Sequence, residues 1–330
     1  MRLPILLLLF IVAPSVVWAQ VESASYPVVQ LDASARSAAL GGNTPALVDH
    51  GPGSLFSNPA LLTPDAHGAA ELSYLNHVSD LSAGWMSYSR HIERIGTAAI
   101  GLRYLSFGDM DRLDASGNAD GTFGASDAGL TLALSRPFTA RNGADMSWKS
   151  RIRYGGAVSW LGQRIDSESA HAITLDLGAV YHDPDRRLTM GMVVQHQGMR
   201  LSSLGSHADR LPTDVRIGVA KRLNHLPVLF SLTAYRLHKM DGGPDGASVL
   251  ANALYHAILA AEFQFSESFR LRFGYNHRRH DELKVKARLD FAGVSTGVGI
   301  RIRNVGVDYA YNSWSSLGGL HRISVRTALF

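Results

Sequence analysis

The 330-residue chain contains no cysteine, which excludes disulfide staples, thiolate nucleophiles and cysteine-ligated zinc. Past residue 19 it has no apolar run long enough to cross a membrane as a helix, which takes about 20 residues. Charge is sparse and nearly balanced. The 32 Lys and Arg against 28 Asp and Glu give a formal +4, too mild a surplus to argue for nucleic acid. A G-x-S-x-G elbow is absent, and none of the 14 histidines falls in a recognisable serine–histidine arrangement. The sequence therefore names no catalytic residue, no metal centre and no cofactor, and the chain does not read as an enzyme.

What is present begins with an export signal. Met1-Arg2 precedes an apolar stretch over 3–17, and Val17-Trp18-Ala19 ends in a small residue suited to signal peptidase. Residues 1–19 read as a signal peptide cut after Ala19. An uncleaved anchor is the weaker alternative, because the core is short and holds Pro4 and Pro14.

The dominant pattern after that is alternation. Over 283–291, Leu283, Val285, Ala287, Leu289 and Phe291 interleave with Lys284, Lys286, Arg288 and Asp290. A period of two places apolar and charged side chains on opposite faces of a strand. The same polarity recurs clearly over 97–105, 151–160, 173–181, 188–197 and 269–276. Gln195 and Gln197 fall on the polar face of 188–197, and Arg270 and Arg272 on that of 269–276. Nine weaker segments follow the pattern at 70–77, 83–91, 128–136, 214–222, 228–237, 255–265, 294–303, 305–312 and 320–329. That makes fifteen candidates where a bacterial barrel expects an even number, so one is a bulged partner or no spanning strand.

A soluble sandwich would also alternate within each strand. Three features favour a transmembrane antiparallel β-barrel of about 14 strands. Tyr104, Trp160, Tyr181, Tyr275 and Tyr311 lie near the ends of apolar stripes, as interfacial girdles require. The polar face is glycine-rich and basic, which fits a hydrated lumen. The strands run almost to the last residue, so the barrel occupies 69–330. Arg103, Arg151, Arg153, Arg270, Arg272, Lys284, Lys286 and Arg288 are the lumen-facing basic candidates, offset by Asp176, Asp290 and Asp308. This predicts a basic lumen rather than an oily one.

Residues 20–68 do not alternate. Ser34 through Gly42 suggests a short helix stopped by Gly41-Gly42, and Asn58-Pro59 looks like a cap followed by a first helical position. Two placements fit: a plug in or against the barrel mouth, or a surface lasso without a gating role.

The run SARSAALGGNTPALVDHGPGSLFSNPALL at 34–62, which holds Arg36, Gly41, Gly42, Asn58 and Pro59, resembles the opening of the PorV/PorQ outer-membrane proteins of type IX secretion. Residues 103–136 and 273–300 are most similar to the PorQ branch. The resemblance implies a FadL-like fourteen-stranded barrel in the outer membrane, with its N-terminal segment near the lumen. It also implies that the barrel anchors a PorZ-like soluble surface protein, near PorU- and PorV-like components, where cargo is joined to lipopolysaccharide.

Candidate docking loops are 106–127, 199–213 and 238–253. They carry Asp109, Asp111, Asp114, Asn118 and Asp120, then Leu201 and Leu204, then Asp241 and Asp245. The acidic loop reads as a solvated hairpin rather than a calcium loop, since its spacing drifts and no glutamate closes it. His277 to Glu282 reads as a solvated tight turn rather than a metal site. The alternative function is a FadL-type transporter of small hydrophobic molecules, which would need an apolar pocket.

Overall fold

Fourteen of the fifteen alternating segments pair into one closed sheet. They are β1 (Ala69–Asn76), β2 (Ser82–Ile92), β3 (Gly96–Leu113), β4 (Ala119–Pro137), β5 (Ile152–Ile165), β6 (Glu168–Asp183) and β7 (Leu188–Arg200). The other half is β8 (Asp214–Arg222), β9 (Val228–Ala234), β10 (Ala257–Gln264), β11 (Phe269–Asn276), β12 (Val294–Ile302), β13 (Val305–Ser313) and β14 (Gly319–Ala328). Each strand runs antiparallel to its chain neighbours, and β1 pairs with β14 to close the barrel. This computed structural model describes residues 26–48, 51–77, 80–138, 151–204, 210–239, 248–284, 290–314 and 318–329. The signal read over 1–19 lies outside the described residues, as do Asp241, Asp245, Lys286, Arg288 and Phe330.

The alternation points the way a membrane barrel requires. On β3, Ile100, Leu102 and Tyr104 are 44%, 51% and 52% exposed, while Thr97, Ala99 and Arg103 are buried. On β14, Ile323 and Val325 face out, whereas Arg322 and Ser324 face in. An apolar outer band over a polar inner face is the lipid-facing arrangement, the inverse of a soluble sheet.

The best-looking segment was the exception. Residues 277–283 form a helix, α3 (His277–Leu283), and β11 pairs directly with β12 through Tyr275↔Val294. Among the described residues no strand lies between them, and 285–289 of the alternating segment fall outside those residues. Asn276 accepts from Arg279 N at the helix start, and Arg278 pairs with Glu282 four residues on, 2.6 Å apart. Cap and pair favour a helical turn over local alternation. His277 to Glu282 is therefore a helix rather than a tight turn, and Lys284 ends it, bonded to Asp281 and outside the barrel wall's inner face.

The ladder shifts register at three places, twice between β3 and β4 (the second between Asp111 and Leu113) and once between β6 and β7. Between β3 and β4 the register jumps from Ser106↔Ser126 to Asp109↔Gly124, so one extra β3 residue inverts the faces above it. Between β6 and β7, Leu175 faces Gln197 but Leu177 faces Val194, leaving Gln195 and His196 both opposite Asp176. His196 takes a left-handed φ of 57°, and its N–H donates to Asp176 Oδ1 at 2.7 Å. Gln195 is buried while Gln197 is exposed, so the two do not share the face that strict alternation assigned them.

The connections differ in length. Those after β2, β6, β8, β10 and β12 are short, closing within 93–95, 184–187, 223–227, 265–268 and 303–304. Those after β7, β9 and β11 are long, and the last two hold α2 (Val249–Tyr255) and α3. The β3–β4 hairpin belongs to this same end. The 138–151 connection after β4 lies at the first end and is itself fourteen residues long, while those after β1, β5 and β13 at the other end are short, so the two ends are not divided by length alone.

Candidate functional site

The N-terminal segment fills the lumen. Helix α1 (Ala35–Ala39) begins at Ser34, whose side chain accepts from Ser37 N, and ends where Gly41 and Gly42 turn the chain at φ 82° and 89°. Two glycines are needed because left-handed backbone strains any side chain there. Further on, Asn58 caps a 3-10 turn at Pro59–Leu61 by accepting from Ala60 N. The segment packs against strands on every side of the barrel, with α1 on β11 to β14 and the Pro59 turn on β4 to β6.

Inward glycines make that fit. A Cβ at Gly155 would lie 2.6 Å from Ala60 N. One at Gly178 would fall on Asn58, one at Gly191 on Pro45 and one at Gly274 on Gly41. The glycine-rich polar face is thus a seat for a polypeptide, where a hydrated lumen had been expected.

Two tiers hold the plug. Toward the long-connection end, Tyr26, Val28, Leu55, Phe56 and Leu62 bury against inward Leu75, Trp85, Leu105, Leu161 and Leu320. The expectation of a lumen without oil is corrected here: those inward leucines pack the plug, so apolar side chains carry no hydration cost at that level. Toward the other end the contact is ionic. Glu262 of β10 is fully buried and takes Arg36 through Nε at 2.8 Å and Nη2 at 3.0 Å. Arg272 Nε also reaches Glu262 at 2.8 Å, and its Nη1 reaches Asp308 at 2.6 Å. A two-pronged guanidinium–carboxylate contact fixes orientation as well as charge. A polar cavity of about 30 Å³ is lined by Asp32, Ser34, Asn43, Thr44 and Arg216 among others. That is room for about one water.

The basic candidates divide. Arg103 and Arg153 face inward and serve the plug. Arg103 lies 4.7 Å over the Phe56 ring and donates to Thr131, while Arg153 donates to Leu62 O at 2.6 Å. Arg270 is half-buried inside. Arg151 is not lumenal: it is exposed at a strand end and pairs with Asp185 at 3.0 Å. Arg322, buried 5.1 Å over Trp85, and Glu262 were missed. Glu262 shares its inward face with Ile258 and Ala260, so no polar stripe marked it.

The docking candidates gather at one end. Asp109 and Asp111 are exposed on upper β3, Asp120 is on β4, and Asp114 with Asn118 closes the hairpin tip. The Asn118 and Ser116 amides hold the Asp114 carboxyl below the usual carboxylate range. The segment read as a loop over 106–127 is therefore mostly paired strand with a turn at 114–118. Leu201 is exposed and Leu204 half-buried after β7.

Asn58 offers a local test. Its side chain donates to Pro45 O at 2.8 Å and Met192 O at 3.3 Å while capping Ala60 N, all in a fully buried position. Asn58→Ala strands two carbonyls and an amide, and a buried unsatisfied group costs about 1–3 kcal/mol. A lowered urea midpoint with unchanged slope is expected; an unchanged midpoint would contradict the role.

No protein-family model matches the chain, and no curated protein matches it in sequence. Solved structures match in shape. A deltaS2 mutant of the TodX monoaromatic hydrocarbon channel aligns at TM-score 0.55 and 12% identity, over 91% of this chain and 98% of that one. The CymD monoaromatic hydrocarbon channel aligns at 0.53 and 12%, over 91% and 96%. A Pseudomonas aeruginosa FadL homologue aligns at 0.49 and 13%, over 89% and 98%. Likeness at this identity establishes the fold: a FadL-like fourteen-stranded barrel of the outer-membrane type.

Proposed function

We propose that the chain works as a closed outer-membrane barrel that holds a soluble partner at the cell surface. The observation that carries the reading is the occupied lumen, with its apolar tier and its ionic tier. A wall built around a fixed plug suits a scaffold better than a conduit. The platform on this reading is the end from which the three candidate docking segments emerge, after β3, β7 and β9. The sequence resemblance to PorQ supplies the partner class: a PorZ-like surface protein, with PorU- and PorV-like components and lipopolysaccharide nearby.

A second reading is favoured by the comparisons themselves. Two neighbours in fold are named as monoaromatic hydrocarbon channels, and the apolar tier would line a hydrophobic path if the plug moved. On that reading the chain transports small hydrophobic molecules. Deleting the gene separates the two. The holding reading expects the surface protein and its cargo in the medium, with hydrocarbon uptake unchanged. Lost uptake, restored by this barrel alone and without released protein, would replace it with transport.

A further inference from the structure

The upper β3–β4 hairpin stands beyond the barrel as a two-stranded ribbon. β2 pairs with β3 only as far as Ser82↔Ser106, and β5 meets β4 only from Ala125↔Ile165 downward. Beside those limits, Asp80 reaches Gly108 and Asp166 N donates to Gly124 O. Above them β3 and β4 pair only with each other among the described residues, through Asp109↔Gly124, Met110↔Phe123, Asp111↔Thr122 and Leu113↔Ala119. The ribbon rises about 20 Å at strand spacing.

Such a ribbon is anomalous on two grounds. An isolated pair of strands is marginally stable in water, and an open edge presents backbone donors and acceptors to any passing strand. Asp166 in the β5–β6 turn braces its base twice, through the Arg112 side chain at 2.6 Å and through its own N–H on Gly124 O. The two edges differ. That of β4 is kinked at Gly121, which adopts φ 92°, whereas β3 has no left-handed residue from Asp109 to Leu113. The bulge at Ser106–Asp109 also decides which side chains flank the β3 edge. It turns Asp109, Asp111 and Leu113 to the exposed face and Met110 and Arg112 to the other.

We propose that the β3 edge from Asp109 to Leu113 accepts an added strand from the surface partner, one carrying lysine or arginine at alternate positions opposite Asp109 and Asp111. This inference rests on the partner-holding reading and specifies its contact. Main-chain bonds supply the attachment, and cross-strand pairs of opposite charge select the segment. The mode needs no apolar patch, which agrees with the polar character of the hairpin.

The test is a cross-linking register. Photoreactive p-benzoylphenylalanine replaces Asp111 in one strain and Leu113 in another, and cells are irradiated with the native envelope intact. Strand addition expects both probes to join one short partner segment, at attachment points two residues apart. Attachment points scattered over unrelated segments would overturn it, as would no cross-link from a correctly inserted barrel. The double variant Asp109→Lys/Asp111→Lys should reduce partner retention about tenfold, two attractive pairs having become repulsive; undiminished retention counts against the proposal. Failures stay separable. If gene deletion releases the partner but neither probe cross-links, the edge assignment alone falls. If deletion releases nothing, the holding reading falls with it.

Discussion

Arg36→Ala should convert a silent barrel into a conducting one. Arg36 is the plug's charged contact with Glu262, and Glu262 has no access to water. Removing one member of a buried pair costs about 3–5 kcal/mol, because the carboxylate stays desolvated. Arg272 still holds one oxygen of Glu262, so the loss belongs near the lower figure. About 3 kcal/mol multiplies the undocked population roughly a hundredfold, at about 1.4 kcal/mol per factor of ten. In planar bilayers the variant should show frequent openings where the parent shows almost none. Arg36→Lys should fall between them, since an ammonium keeps the charge but loses the two-pronged geometry. Glu262→Gln should match or exceed the alanine effect, leaving Arg36 and Arg272 with only Asp308, held by Arg272, as counter-charge. If Arg36→Ala conducts no more than the parent, and residues 26–68 stay resistant to protease, the ionic tier is not what retains the plug.

Valine at Gly191 and Gly274 should expel the plug while leaving the wall intact. A Cβ at Gly191 meets the Pro45 carbonyl, and one at Gly274 meets the Leu40–Gly41 peptide. Both obstacles are backbone, so no side chain can swing aside. Overpacking costs about 1–3 kcal/mol at each site, and the sites are four strands apart, so the effects should add. Valine is a good strand former, which makes loss of the sheet an unnatural outcome. Gly306→Val is the matched control: it also lies inward, but its Cβ would meet only Arg326 at 4.0 Å. The double variant should keep heat-modifiable mobility on gels, as folded barrels do, yet expose residues 26–68 to protease. Equal protease resistance in the double variant and the control would remove the glycines from the seating account.

The strands were legible because lipid imposes a local rule on every one of them. Ile100, Leu102 and Tyr104 must be apolar wherever the neighbouring strand lies, so alternation could be read without knowing the pairing. The same locality produced the error at 283–291. Alternation there was as regular as anywhere, but β11 and β12 already saturate each other through Tyr275↔Val294. The interior was harder because its meaning depends on distant residues. Gly178 reads as lumen surface until Asn58 lies across it, and Glu262 reads as an irregular acid in an apolar strand until Arg36 arrives. Arg103 and Arg153 were found because they stand on polar stripes. Arg151, one strand residue too early, was swept in by the same stripe.

The plug also sets an order of events in assembly. It precedes every strand of the barrel in the chain, yet Ala35 N donates to Ser324 Oγ across 289 positions, and Asn312 donates to Ala38 O across 274. Those partners sit on β14 and β13, the last strands to emerge. Contacts between chain ends are slow to form, since the whole loop between them must close first. The N-terminal segment therefore waits, largely unsatisfied, until β14 zips to β1, and it must already lie within the curving sheet at that moment. Seam closure and plug seating become one late step, and a chaperone that keeps residues 26–68 from straying would act on the rate of insertion rather than on the finished barrel.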